Sequence, residues 1–223
     1  MPGQNSSVSR AVLFDLDGTL VDSFPGIASA YHHVLIQLRL GDMDDADLRQ
    51  FIGPSIQETF QQHFGLSGAR LEEGVRIFRE HYGTGGLLRF SKYPGIDEML
   101  LALRDHGFNL YIATSKLHTM AIDIIEHAGW TDLFQVVGGA APDGTRHLKK
   151  DVIAWTMAHV ISGARVVAMV GDRAADIACG RELGLRGIGV TWGYGSVMEL
   201  EEAGATITAD SPNQLLSTLK QLD

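Results

Sequence analysis

The stretch Val12-Leu13-Phe14-Asp15-Leu16-Asp17-Gly18-Thr19-Leu20 decides how this chain folds. Its apolar run is typical of a buried strand, and the run ends in two aspartates two positions apart. In an extended segment, positions i and i+2 point to the same side, so both carboxylates lie on one side of the chain. Gly18 then lets the backbone turn closely around a bound group. The stretch predicts a ligand site at the carboxyl end of a strand, where open α/β sheets hold their ligands.

Apolar runs of strand length recur along the chain, bounded by Gly, Asp or Ser. The predicted strands cover residues 11–16, 109–114, 134–137, 166–170, 187–191 and 206–208. Continuous apolar runs suit a parallel sheet that is covered on both faces, and amphipathic helical patterns lie between the runs. We therefore predict an α/β fold with a doubly wound, mainly parallel, Rossmann-like core sheet.

Several helical patterns follow one another after the first strand, with no strand between them. Pro25 suits a first helical turn, Gly53-Pro54 interrupts the pattern, and Ser55-Ile56-Gln57-Glu58 forms a capping box. A small all-helical cap domain is predicted here, inserted after the first strand of a catalytic core domain. The predicted bounds are 23–86 for the cap, and 1–22 with 87–223 for the core.

Both ends of this insertion carry residues suited to a link between domains. Asp22-Ser23 is predicted as the outgoing strand of a two-stranded hinge, and Tyr82-Gly83-Thr84-Gly85-Gly86 as its flexible return. The cap is therefore expected to move as a unit against the core.

Composition and charge exclude several classes of protein. The net charge is −9 and no basic run is longer than Lys149-Lys150, so a polymeric nucleic acid is not an expected partner. No run approaches the roughly 20 apolar residues of a membrane span, and residues 1–10 lack the features of a signal peptide. The single cysteine, Cys179, cannot form an internal disulfide. A cytoplasmic protein is therefore expected.

Polar side chains stand at the ends of later strands as well. Thr114-Ser115-Lys116 follows the second core strand, and Gly171-Asp172-Arg173-Ala174-Ala175-Asp176 follows the fourth. Lys149 and Lys150 open a helix after a glycine-rich loop at residues 138–144. Because the carboxyl ends of parallel strands meet at one edge of a sheet, these groups are expected to gather near Asp15 and Asp17.

Such a set of carboxylates, lysine and hydroxyl suits phosphoryl transfer. Carboxylate oxygens are the ligands that Mg²⁺ prefers, and no Cys or His stands among these groups, so zinc is not expected. The metal and a lysine can neutralise phosphoryl oxygens, and an aspartate can accept the phosphoryl group covalently.

Four parts of this chain resemble, in order, the four motifs of the haloacid dehalogenase superfamily. They are Asp15-Leu16-Asp17-Gly18-Thr19-Leu20, Thr114, Lys149 and Gly171-Asp172-Arg173-Ala174-Ala175-Asp176. The resemblance covers essentially the whole chain. The helical insertion resembles the cap of the phosphoglycolate phosphatase-like branch. Segments 51–55, 113–116 and 138–144 are similar to members named 5′-nucleotidase or phosphoglycolate phosphatase.

This resemblance implies a role for each aspartate. Asp15 would be the nucleophile that forms an aspartyl phosphate, and Asp17 would protonate the leaving alcohol and then deprotonate the attacking water. Mg²⁺ would be held by the Asp15 carboxylate, the Asp17 backbone carbonyl and Asp172. Asp176 would be a further ligand, a support for the ligands, or only a helix cap.

The remaining implied contacts concern the phosphoryl group. Thr114 and the Ser115 backbone would donate hydrogen bonds to its oxygens, and Lys149 would balance its charge. Lys149 is preferred to Lys150 because the spacing Lys-x-Asp-Val-Ile resembles that of the family.

The expected function is Mg²⁺-dependent hydrolysis of a small-molecule phosphate monoester, by a monomer or homodimer. Haloacid dehalogenases themselves lack the second aspartate of the first motif, so Asp17 argues against that activity. A sugar phosphomutase of the β-phosphoglucomutase type would keep both aspartates, and a catalytically silent binding protein on the same fold is the other alternative. Substrate selection is expected from the cap, whose closure would bring residues near Arg49, Gly53-Pro54-Ser55 or Lys92 toward the leaving group.

Overall fold

The computed structural model describes residues 9–222 of the chain. Residues 1–8, which belong to the predicted core domain and to the segment in which no signal peptide was expected, lie outside the described residues, as does Asp223.

A six-stranded parallel sheet forms the centre of the structure. In sequence order its strands are β1 (Ser9–Phe14), β4 (Phe108–Leu117), β5 (Phe134–Ala140), β6 (Ala164–Gly171), β7 (Arg186–Val190) and β8 (Ile207–Ala209). They lie side by side in the order β5-β4-β1-β6-β7-β8. The doubly wound α/β prediction is confirmed, and β1 lies between β4 and β6, the strands that bring the other polar segments.

Helices cover both faces of this sheet. Successive residues of β1 alternate between the faces, so Val12 and Phe14 pack in one apolar cluster and Ala11 and Leu13 in the other. The first cluster includes side chains of α5 (Ile96–Asp105), α6 (His118–His127) and α10 (Pro212–Lys220). The second includes side chains of α7 (Lys149–Ala158) and α8 (Ala174–Glu182), and α9 (Val197–Glu202) follows β7.

The first strand ends two residues before the end of the predicted 11–16, because the chain turns sharply after Phe14. The carbonyl of Leu16 accepts hydrogen bonds from the amides of Leu20 (2.9 Å) and Val21 (3.1 Å). This turn takes Asp15 and Asp17 out of the strand and places them in a tight loop at its carboxyl end.

Four helices follow β1 and its link: α1 (Phe24–Leu38), α2 (Asp45–Arg49), α3 (Ile56–Gln62) and α4 (Gly68–His81). The predicted capping box is confirmed at the start of α3, where Ser55 and Glu58 exchange hydrogen bonds. Tyr31 of α1 is the centre of their packing, with its ring 5.1 Å from that of Phe78 and 6.0 Å from that of Phe60. These helices share one apolar cluster with the nearer face of the sheet.

Two short antiparallel strands, β2 (Val21–Asp22) and β3 (Ser91–Lys92), join the helical insertion to the sheet. The two-stranded link is thus confirmed, although Ser23 lies beyond it at the start of α1. The predicted position of the return at 82–86 is wrong, because the strand that pairs with β2 lies at Ser91–Lys92 and Tyr82–Gly86 forms a π-helical turn. Leu87, which follows this turn, donates to the Tyr82 carbonyl at 2.7 Å, and the turn packs against α1.

α1, with 15 residues, is the longest helix in the described part of the chain. Among residues 9–222, no helix combines the length and apolar character needed to cross a bilayer.

The contact between α1 and the π-helical turn depends on Gly26. A Cβ added at this residue would lie 2.0 Å from the Gly86 carbonyl oxygen, so Gly26→Ala forces the two segments apart. We expect the change to lower the free energy of unfolding by about 1–3 kcal/mol, the usual cost of overpacking. Urea denaturation measures this value.

Gly85→Ala is the matched control, because a Cβ at Gly85 would meet no heavy atom within 4 Å. An equal loss of stability in both variants would show that the close approach of α1 and the turn is unimportant.

Candidate active site

Three buried carboxylates meet at the carboxyl end of the central strands. Asp15 follows β1, Asp172 follows β6, and Asp176 lies in the first turn of α8. One oxygen from each lies within 4.8 Å of the others, and the three residues are at most 2% exposed. The pairing of β1 with β6 brings Asp172 beside Asp15, as expected from the strand ends.

Lys149 supplies the positive charge inside this cluster. Its Nζ lies 2.8 Å from Asp15 Oδ1 and 2.6 Å from Asp176 Oδ1, and its side chain is 5% exposed. Lys150 points elsewhere and pairs with Glu182 at the surface. The structure therefore brings Lys149, and not Lys150, to the aspartates.

The cluster perturbs the ionisation of its members. Burial raises the pKa of the Asp15 carboxyl, and the Lys149 ammonium offsets only part of this change. Burial also raises the pKa of Asp172, and the carboxylates of Asp176 and Asp15 add to the effect. Although burial disfavours a charged amine, Asp15 and Asp176 raise the pKa of Lys149 above its ordinary value. Three carboxylates with one ammonium leave an excess of negative charge, which a divalent cation would neutralise.

Asp172 is fixed by neighbours on two loops. It accepts hydrogen bonds from Thr19 Oγ1 (3.0 Å) and from the amide of Tyr194 (2.9 Å). Gly18 makes the approach possible, because its φ is +82° and a Cβ there would lie 2.2 Å from Asp172 Oδ2. Gly18 and Thr19 therefore position the carboxylate of Asp172, which lies more than 150 residues later in the chain.

Asp176 has two functions in this geometry. Its Oδ2 accepts the amide of Arg173 at 3.0 Å, which caps α8, while its Oδ1 contacts Lys149. The expectation left helix cap and site residue as alternatives for Asp176, and the structure shows both contacts.

Asp17 lies beside Asp15 but has different partners. Its Oδ2 is 2.9 Å from Lys116 Nζ, and its Oδ1 accepts a hydrogen bond from Ser23 Oγ at 2.5 Å. Lys116 also donates to the hydroxyl of Tyr82, which belongs to the π-helical turn, at 2.8 Å. The sequence indicated a cation after Thr114-Ser115 but not this pair, because the spacing of Asp17, Ser23 and Lys116 carries no signal of their contact.

The two hydroxyl residues at the end of β4 line the same cavity as Asp15 and Asp17. Thr114 is 2% exposed, and its Oγ1 accepts the amide of Lys116 at 3.3 Å. Ser115 is half-buried. The hydroxyl of Thr114 and the backbone of Ser115 thus lie within a site whose floor is formed by the aspartates.

A cavity of about 80 Å³ separates the site residues from the helical insertion. Its outer wall is mostly apolar and aromatic, with Ile27, Tyr31, Phe51, Ile52, Ile56 and Phe78. Gly53 and Pro54 also line it, as expected, but Ser55, Arg49 and Lys92 do not. Arg49 lies over the ring of Phe24, and Lys92 pairs with Asp97.

Residues next to the site hold the insertion in place. Arg173 donates to the carbonyls of Ile52 (2.7 Å) and Gln50 (3.2 Å), and its Nε pairs with Glu199 at 2.9 Å. Tyr194 accepts hydrogen bonds through its hydroxyl from the amides of Ser23 and Phe24. The neighbours of Asp172 therefore contact both the insertion and the link.

Comparison with protein families gives one model that matches residues 12–190, described as haloacid dehalogenase-like hydrolase. Among curated relatives, a 5′-nucleotidase of Pseudomonas aeruginosa is 37% identical over 189 residues, 85% of this chain and 86% of the relative. The tyrosine-protein kinase PtkA of Mycobacterium tuberculosis is 35% identical, with 92% of this chain and 69% of the relative covered. A phosphoglycolate phosphatase of Chromobacterium violaceum is 31% identical, with 95% and 96% covered.

Solved structures give the same fold over the same length. A crystal structure of a predicted phosphatase from Clostridium acetobutylicum superimposes with a TM-score of 0.91 at 32% identity. The match covers 97% of this chain and all of the other.

The buried contacts of Lys149 lead to a stability difference between two adjacent lysines. Lys149→Met leaves Asp15 and Asp176 without their cation, and breaking a buried ion pair in this way is expected to cost about 3–5 kcal/mol. Lys150→Met removes only a surface pair and should leave the free energy of unfolding nearly unchanged. Chemical denaturation of both variants in chelator measures the difference. Equal stability of the two would contradict the assignment of Lys149 to the cluster.

Proposed function

This chain belongs to the haloacid dehalogenase-like hydrolase family and is a phosphatase, and we propose that it hydrolyses a small phosphate monoester through an aspartyl phosphate with Mg²⁺ as cofactor. The observation that carries this proposal is the buried contact of Asp15 with Lys149, at the floor of a cavity that Asp17 also lines. A carboxylate in this position can attack a phosphorus atom, and the lysine can balance the charge on both groups.

In the first step, Asp15 attacks phosphorus and the bond to the leaving oxygen breaks. Asp17 donates a proton to that oxygen, so the alcohol leaves uncharged. In the second step Asp17 takes a proton from water, which attacks the aspartyl phosphate, releases inorganic phosphate and regenerates Asp15. The contacts of Asp17 with Lys116 and Ser23 hold its carboxylate beside the nucleophile for both steps.

Binding of the phosphoryl group is assigned to Thr114, Ser115 and Lys149. The Thr114 hydroxyl and the Ser115 amide would donate hydrogen bonds to oxygens that become more negative in the transition state. Lys149 would add a full positive charge next to Asp15. All three assignments rest on placement beside Asp15 and on the resemblance of their motifs.

The donor set fits a hard divalent cation. Asp15, Asp172 and Asp176 offer carboxylate oxygens within 4.8 Å, all buried, with more negative charge than Lys149 can balance. Asp15 and Asp172 would hold Mg²⁺ together with the backbone carbonyl of Asp17, and Asp176 would support or join them. When bound, Mg²⁺ supplies positive charge to the phosphoryl oxygens during displacement.

We propose that residues 23–86 act as the cap domain and that the core comprises 1–22 and 87–223. The cap supplies the apolar wall of the cavity, so it excludes water and contacts the leaving group. The catalytic groups all lie on the core side. A cytoplasmic location and a monomeric or homodimeric state are proposed from the sequence alone.

The first test is phosphate release from a panel of small phosphate esters, in Mg²⁺ and in chelator. We expect metal-dependent release by the wild type and a loss of at least about 10³-fold in Asp15→Asn, because the amide cannot attack phosphorus. Asp151→Asn, at an exposed aspartate in α7, is the control. The panel includes phosphoglycolate, nucleoside monophosphates, sugar phosphates and ATP.

Turnover of a sugar phosphate to its isomer, without net release of phosphate, would replace hydrolysis by the phosphomutase alternative. Release that persists in Asp15→Asn would contradict the covalent route. The absence of any reaction would favour a binding protein.

Metal binding should depend on pH in a defined direction. Because burial raises the pKa of Asp172, the metal-free protein holds a proton there to a higher pH than an unfolded chain does. Mg²⁺ must displace that proton, so its affinity should rise with pH, by up to about tenfold per unit for each proton released. Calorimetric titration at several pH values measures the slope, and Asp172→Asn should weaken binding. An affinity that falls as pH rises would contradict the assignment.

A further inference from the structure

Arg173 joins the loop of Asp172 to one segment of the helical insertion. It follows Asp172 directly in the chain, and its side chain is 15% exposed. Its Nη1 donates to the carbonyls of Ile52 (2.7 Å) and Gln50 (3.2 Å), which follow α2. Carbonyls at the carboxyl end of a helix have no partner within that helix, so a guanidinium placed there satisfies them.

The same segment packs against the aliphatic part of this arginine. Gly53 has a φ of +110°, and a Cβ added to it would lie 2.6 Å from the Cγ of Arg173. A residue with a side chain is strained at this φ, and it would also push Arg173 away. Both hydrogen bonds and packing therefore hold residues 50–54 against one side chain of the core.

The other side of residues 50–54 faces the cavity. Phe51, Ile52, Gly53 and Pro54 all line it, and the first two are at most 4% exposed. Arg173 does not line the cavity. The distance between this part of the outer wall and the aspartates therefore depends on a side chain that itself stays outside the site.

The core fixes the guanidinium from its own side. Glu199 Oε1 accepts hydrogen bonds from Arg173 Nε (2.9 Å) and from the amide of Ala174 (2.8 Å). The amide of Glu199 donates in turn to the hydroxyl of Ser196 at the start of α9. An ion pair that only stabilised the core would need Glu199 alone, so the two bonds to the insertion call for a further role.

We propose that Arg173 is a positioning residue, which holds residues 50–54 at the distance from Asp15 where they contact the leaving group of the substrate. This inference rests on the proposed function, because it assigns the leaving group to the outer wall of the cavity. Arg173 acts through the backbone of the segment and touches neither the phosphoryl group nor the leaving group. Its loss should therefore weaken contacts of the leaving group and spare those of the phosphoryl group.

Binding of stable phosphonates tests the proposal without catalysis. Methylphosphonate and propylphosphonate share the phosphonate and differ by two methylene groups, each of which gains about fourfold in affinity when it is buried. With Mg²⁺ present, we expect the wild type to bind propylphosphonate about tenfold more tightly, because its added methylenes reach the apolar wall.

Two variants remove the contact from opposite sides. Arg173→Met should abolish most of the preference for propylphosphonate and leave the affinity for methylphosphonate nearly unchanged, since Asp172 keeps its bonds from Thr19 and Tyr194. Gly53→Ala should do the same from the side of the insertion, and the double variant should lose little more than either single variant. Arg173→Lys should restore part of the preference, because an ammonium can still donate to one carbonyl.

Arg181→Met is the matched control. Arg181 lies on the same helix and also donates to a carbonyl, that of Ala203 at 3.1 Å, but this acceptor belongs to the core. The control should keep the wild-type preference. Equal binding of the two phosphonates by the wild type, or an equal loss for both in Arg173→Met, would overturn the proposal.

The same variants in the ester assay separate this inference from the proposed function. For esters that the wild type hydrolyses, Arg173→Met should lower kcat/KM by about 10- to 100-fold, the usual effect of a small misplacement, and should leave inhibition by inorganic phosphate nearly unchanged. A preference for propylphosphonate that depends on Arg173, without phosphate release from any ester, would refute hydrolysis and retain the positioning role. Phosphate release with no such preference would do the reverse.

Discussion

Asp15, Asp172 and Asp176 lie within a few ångströms of one another beside the ends of β1 and β6, buried, and the single ammonium group of Lys149 offsets only part of their charge. Burying like charges together is costly, and a fold retains such a cluster only where the surrounding structure fixes every member. Here the sharp turn after Phe14, the side chain of Thr19 and the amide of Tyr194 do so. Much of the loop structure at this edge of the sheet follows from the need to hold these carboxylates.

The cap depends on the same edge. Arg173 and Tyr194 stand next to Asp172 or bond to it, and each also bonds to the insertion or the link. Lys116 joins Asp17 to Tyr82 from the opposite side of the cavity. Since the polar contacts between cap and core come from residues that also support the site, a change in one part should be felt in the other.

The sequence predicts the sheet well because its strands are continuous apolar runs, and the polar segments at their ends follow from topology. It also predicts that Asp15, Asp17 and Asp172 gather at one edge of the sheet, which is where the structure places them. It fails where a role depends on a contact between distant residues: neither the partners of Lys116 nor the double contact of Asp176 follows from a local pattern. The glycines at 82–86 suggested that the return of the link lies there, but this segment forms a π-helical turn packed against α1 and the return strand follows later, at Ser91–Lys92.

The π-helical turn at Tyr82–Gly86 has an evolutionary consequence. The i→i+5 hydrogen bond of such a turn encloses one residue more than the i→i+4 bond of an α-helix. Removing one residue here would let α4 continue regularly and would rotate everything beyond the deletion by about 100° around the helix axis. Tyr82 could then no longer contact Lys116 while β3 remains paired with β2. Among related proteins, the length of this segment should consequently vary less than its amino-acid composition. A relative with an insertion or deletion in this segment is expected to have different contacts between cap and core.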